Sequence, residues 1–99
     1  MKAAMDRSRE AAENLAIQAL SYIGGDPAQL GRFLALTGIG PADLRRVAGE
    51  SGFLAGVLDF VAGDETLLVA FAAEAGVKPG EINRARAALG GGDWERDVP

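Results

Sequence analysis

Residues 25–46, GDPAQLGRFLALTGIGPADLRR, decide the fold, because they carry every signal needed to start, stop and restart a helix. Asp26 is suited to cap a helix N-terminus, and Pro27 to fill its first position, where the missing N–H is not needed. Leu30, Phe33 and Leu34 follow at helical spacing up to Thr37. Gly38 suits the left-handed residue just past a helix, Ile39 the apolar contact that accompanies such an ending, and Pro41 the first turn of the next helix. The stretch reads as a helical hairpin.

Shifted by 38 residues, it aligns with residues 63–84, GDETLLVAFAAEAGVKPGEINR. Gly25, Asp26, Leu30, Phe33, Ala35, Gly38, Pro41 and Arg46 fall on Gly63, Asp64, Leu68, Phe71, Ala73, Gly76, Pro79 and Arg84. Ile39 pairs with Val77, Asp43 with Glu81 and Leu44 with Ile82, all conservative exchanges. The matches include the positions that cap, stop and restart helices, which marks a structural duplication: hairpins over about 25–48 and 63–86, related by an approximate two-fold axis. Two copies are too few for a solenoid, so a closed globular domain follows.

Strand signals are nearly absent, because no stretch alternates apolar and polar residues. Asp6 or Ser8 can cap a long first helix running to about Ile23, with Ala12, Leu15, Ala16, Ala19, Leu20 and Ile23 on one stripe. Between the hairpins, a fourth helix capped by Ser51 spans about Gly52 to Ala62. Its Phe53, Leu54, Val57, Leu58, Phe60 and Val61 leave Asp59 as the obvious solvent marker, so it belongs in the middle of the bundle. Asp64 caps a fifth helix that Gly76 ends, and Pro79 opens a sixth. The expected architecture is a single all-α domain over residues 1–90, with five or six short helices: two hairpins around a central apolar helix, plus a longer N-terminal helix. Residues 91–99 are expected to form a flexible tail. Phe33, Phe53, Phe60 and Phe71 are the expected bulk of the core.

Composition narrows the chemistry. The 99 residues are 48% apolar and 24% charged, ordinary values for one globular domain, and the net charge of −4 opposes long-range attraction to nucleic acid or anionic lipid. There is no cysteine, hence no disulfide, thiolate nucleophile or zinc ribbon, and no histidine, the commonest general base near neutral pH. The opening MKAAMDRSRE lacks the apolar run of a secretory signal, and the apolar run from Leu67 to Ala73 is far short of the ~20 residues that cross a bilayer. A cytoplasmic protein with no membrane partner is therefore expected. Among the 14 acidic residues, Asp6, Asp26 and Asp64 read as caps, Glu10 and Glu13 lie on a solvated helix face, and Asp43 and Glu81 sit in first helical turns. Glu50 and Asp59 stand out as candidates for other work, and a small helical domain offers little cleft in which a carboxylate pair could act. No calcium-loop spacing appears. The expectation is a protein that is not an enzyme and holds no cofactor or metal.

The hairpin, connecting helix and second hairpin resemble the tandem helix-hairpin-helix domain of DNA repair and recombination proteins. Gly38, Ile39 and Gly40 match its signature of two glycines around an aliphatic residue. The resemblance implies backbone N–H groups close to a phosphate, with Arg45, Arg46, Arg84 and Arg86 supplying charge. Leu44 stands where that motif has a small residue, and Lys78 replaces the second glycine in the second copy.

A broader resemblance runs from the first helix through "GDPAQLGRFLALTGIGPADLRRVAGESGFLAGVLDFVAGDETLLVAFAAEAGVKPGEINRARAAL". In order, spacing and punctuation it is similar to a family of small all-helical bacterial proteins, chiefly alphaproteobacterial, classified as a domain of unknown function. That resemblance implies a cytoplasmic setting and supplies no activity to carry over. The functional expectation is therefore a non-enzymatic module that binds a protein partner or itself as a homodimer. Leu36, Val69 and Ile17, which lie off the apolar stripes, and Trp94 in the tail are the candidate contacts. Sequence-independent binding of a nucleic-acid backbone by the Gly38–Gly40 corner is the alternative.

Overall fold

The computed structural model describes residues 2–48 and 50–90, which fold into six helices with no strand among them. In chain order these are α1 (Lys2–Gly24), α2 (Pro27–Thr37), α3 (Pro41–Val47), α4 (Ser51–Ala62), α5 (Glu65–Ala75) and α6 (Pro79–Ala88).

The punctuation acts where the sequence places it. Asp26 is extended at φ −122°, and its Oδ1 accepts N–H groups from Ala28 at 3.0 Å and Gln29 at 3.4 Å. Asp64 repeats that conformation at φ −127°, its Oδ1 accepting the Leu67 N–H at 3.2 Å. Gly38 and Gly76 both turn left-handed, at φ 72° and 73°, a region that costs any residue with a Cβ.

Two starts differ from expectation. α1 begins at Lys2, so Asp6 and Ser8 lie inside it and neither is at its N-cap position. The residues around them include Ala, Met, Arg and Glu, good helix formers with no Gly or Pro to stop propagation. α4 takes Glu50 as its N-cap, without a side-chain bond, because the Leu54 N–H already donates to the Glu50 carbonyl at 2.9 Å. Ser51 is thus the first helical residue.

The described core is apolar throughout, with no polar or charged residue buried in it. α4 supplies its centre through Leu54, Val57, Leu58 and Val61. The stripe Ala12, Ala16, Ala19 and Ile23 of α1 packs against α4, and α6 fits between these two helices through Ile82, Ala85 and its C-cap Leu89. Small alanines on α1 permit that close approach. Phe33 and Phe71 are fully buried, whereas Phe53 and Phe60 are half-buried and pack on the core from its edge. The T-shaped contacts of Phe33 with both, at 5.7 and 5.3 Å between ring centroids, tie α2 to α4.

The duplication reaches further upstream than the hairpins. With the same offset of 38, residues 13–24 of α1, ENLAIQALSYIG, lie on α4, SGFLAGVLDFVA. Leu15, Ala16, Ala19, Leu20, Tyr22 and Ile23 fall on Phe53, Leu54, Val57, Leu58, Phe60 and Val61. Each unit therefore has three helices, and the units exchange contacts. Tyr22 of the first meets Phe71 of the second at 5.5 Å, while its counterpart Phe60 meets Phe33, the counterpart of Phe71, at 5.3 Å. Reciprocal exchange of this kind is what a two-fold axis produces. The equivalence ends at the third helix, because α6 is packed between α1 and α4 while α3 packs extensively against no other helix.

Candidate functional site

The Gly38–Gly40 corner is built by the end of α2 and the start of α3. Gly38 needs its glycine, for its left-handed φ of 72°. Ile39 is half-buried and donates its N–H to Thr37 Oγ1 at 3.3 Å. Gly40, the N-cap of α3, is extended at φ −78°, and Lys78 holds the same place in the second copy at φ −83°. A Cβ on Gly40 would meet Asp43 Oδ2 at 3.7 Å, an ordinary contact. Backbone geometry thus requires glycine at 38 and not at 40, and the side-chain atom nearest to a Cβ on Gly40 is an acidic oxygen.

The arginines of the sequence reading are distributed over two helices that share no extensive contact, Arg45 and Arg46 on α3 and Arg84 and Arg86 on α6. Arg46 pairs with Asp43 at 3.4 Å, and Arg86 with Asp59 at 3.4 Å. Arg45 and Arg84 make no ion pair among the described residues. Burial pushes the Asp59 carboxyl above its ordinary value, with the Arg86 guanidinium pulling the other way.

Leu36, Val69 and Ile17 stand in solvent at 72%, 54% and 48% exposure. Trp94 lies outside the described residues. Two grooves cross the surface. The larger, about 850 Å³ between α1 and α6, is lined by apolar residues such as Ala11, Leu15, Val77 and Ala88, with Glu81 and Arg84 among its polar residues. The smaller, about 530 Å³, lies where the end of α1 meets α2 and α5, and is lined by residues including Tyr22, Asp26, Asp64, Ala70 and Glu74.

Next to the smaller groove is a cluster that the sequence reading missed. Arg32 of α2 places Nη1 3.2 Å from Asp64 Oδ2, and its guanidinium carbon lies 5.3 Å from the centre of the Phe60 ring. Gln29 Oε1 accepts a further bond from the same nitrogen at 3.4 Å. Asp64 therefore does two jobs, Oδ1 capping α5 and Oδ2 holding Arg32. The Leu67 N–H, and after it Arg32, hold its carboxyl below the ordinary range. The signal for this cluster was the repeat itself, which extends upstream to pair Tyr22 with Phe60 as it pairs Asp26 with Asp64. Arg32 breaks that pattern, since Ala70 is its counterpart.

Among the described residues no group of three or more acidic side chains could hold a metal ion, and no helix is long and apolar enough to cross a membrane. A family model described as a protein of unknown function (DUF3572) matches residues 9–92. The chain belongs to this family. Apart from the first turns of α1, both three-helix units, the corner and the Arg32 cluster fall within the part that the DUF3572 model covers. No curated protein and no solved structure matches the chain.

Proposed function

We propose that the protein is a non-enzymatic interaction module, binding a protein partner or a second copy of itself through apolar side chains kept on its surface. Its setting, on the resemblance to bacterial helical proteins, is the bacterial cytoplasm. The observation that carries the reading is Leu36, 72% exposed on a helix whose Phe33 is fully buried three residues earlier. Fully burying a leucine is worth about 1.5–3 kcal/mol, a gain left to be taken at a contact. Val69 and Ile17 add to the exposed apolar surface.

Sedimentation velocity on the full chain, from about 5 to about 500 µM, brackets a micromolar dimer. Association that is present in the natural protein and lost in Leu36→Lys supports self-association. A natural protein that stays monomeric throughout removes the self-association form and leaves only a foreign partner. In the same samples at low salt, retention of a DNA or RNA duplex that weakens steeply as salt rises would overturn the interaction reading in favour of backbone binding at the Gly38–Gly40 corner.

A further inference from the structure

The two-fold relation between the units makes the Arg32 cluster a template for its opposite number. In the filled copy, an arginine of one unit lies against a ring and a carboxylate of the other: Arg32 against Phe60 and Asp64. Applying the offset of 38 gives Ala70 against Tyr22 and Asp26. All three line the 530 Å³ groove, so the structure brings them together as the symmetry requires.

The ring and the carboxylate of the seat recur, whereas the cation does not, and Leu67 stands at the counterpart of Gln29. Asp64 gives Oδ1 to the cap of α5 and Oδ2 to Arg32. Asp26 likewise gives Oδ1 to the cap of α2, while its Oδ2 has no partner among the described residues. Tyr22 is half-buried and braced by Phe71 at 5.5 Å, as Phe60 is braced by Phe33. Where Arg32 would project, Ala70 is a short exposed residue that leaves the space open. Asp64 and Glu74 also line the groove, and no basic residue does.

We infer that the groove between α1, α2 and α5 is a binding seat for a guanidinium group, the arginine side chain of a partner segment, held between the Tyr22 ring and the Asp26 carboxylate. That a protein segment carries the guanidinium rests on the interaction-module reading; the seat itself does not. Guanidinium fits better than ammonium because it is planar, stacks on a ring and forks onto a carboxylate. One ring contact and one exposed ion pair give a single arginine an affinity on the order of 10–100 mM, weakened by salt. Neighbouring contacts of a longer segment would add to it.

The test uses the full chain, the tripeptide acetyl-Gly-Arg-Gly-amide, and its citrulline counterpart, which keeps the shape and lacks the charge. The expected result is saturable NMR shifts at the Tyr22 ring and the Ala70 methyl with the arginine peptide and none with citrulline. Asp26→Asn keeps a capping side chain and weakens binding about two- to fivefold. Ala70→Arg fills the seat from within, abolishes the peptide shifts and raises the melting temperature. Arg32→Ala vacates the first seat, so the stoichiometry rises from one peptide to two, with new shifts at Phe60. The inference is overturned by no saturable shift in the natural protein, by equal shifts with citrulline, by undiminished binding in Ala70→Arg, or by binding in Arg32→Ala that is confined to Phe60. Leu36→Lys separates the two proposals. A variant that no longer associates yet still takes the tripeptide leaves both standing on their own sites, and a natural protein that binds the tripeptide but neither itself nor a partner keeps the seat and removes the module.

Discussion

Replacing Phe33 by leucine should cost clearly more than the same change at Phe53, although both phenylalanines sit on apolar helix faces in the sequence. Phe33 is fully buried and meets the rings of Phe53 and Phe60 edge to face at 5.7 and 5.3 Å. Truncation to alanine removes the whole ring from the core and costs about 3–5 kcal/mol, a large part of the roughly 5–15 kcal/mol that holds a domain of this size. Leucine keeps most of the volume and loses chiefly the ring contacts and their fit, about 1–2 kcal/mol. Phe53 already has one side in water, so its change to leucine should cost about half as much. Phe71, the counterpart of Phe33 and 1% exposed, should match it. Urea unfolding followed by circular dichroism resolves these differences, and each ~1 kcal/mol also moves the melting temperature by roughly 4–8 °C. Equal costs at Phe33 and Phe53, or a cost at Phe71 less than half that at Phe33, would refute the packing and the equivalence of the two units.

Gly38→Ala and Gly76→Ala should each lose about 1–2 kcal/mol in urea unfolding, because both hold left-handed backbone. Gly40→Ala should lose less than about 0.5 kcal/mol, because its φ is −78° and a Cβ meets only ordinary contact. Asp64 has its folded pKa below its unfolded value of about 3.9, so the stability it contributes is present above that value and lost as pH falls through the folded one. Asp64→Asn should therefore flatten the acid limb of a stability–pH profile between about pH 2 and pH 6. Asp59 runs the other way: its folded pKa is raised, so its ionisation opposes folding as pH rises from the unfolded value through the folded one. Arg86→Ala should raise the Asp59 pKa further, read by carbon NMR of the carboxyl.

The elements most legible in the sequence are those whose cause is local. An aspartate that caps, a proline at the first position and a glycine past the end act within a few residues, so Asp26, Pro27, Gly38, Asp64, Gly76 and Pro79 all appear where the pattern puts them. Exposure of Leu36, Val69 and Ile17 was legible too, because helical periodicity fixes which side of a helix faces away from the core. The start of α1 was not, since a cap can begin a helix only where nothing upstream already continues it. The unequal packing of α3 and α6 was equally hidden. Leu44 and Ile82 are similar apolar residues, and which of them is buried depends on where α1 and α4 leave room. The Arg32 seat joins residues 28 and 32 positions apart, beyond any local pattern, and only the repeat links its parts. Its upstream half is masked because alanines on α1 stand opposite leucine and valine on α4.

The central claim is that the protein acts by contact through its exposed apolar side chains. The most direct measurement is quantitative capture from the native cell by the natural protein and by a Leu36→Lys, Val69→Lys variant with an unchanged melting temperature. A defined protein, or a second copy of the chain, retained by the natural protein and lost by the variant is the expected result. The same proteins retained by both, or none retained by either, would contradict it.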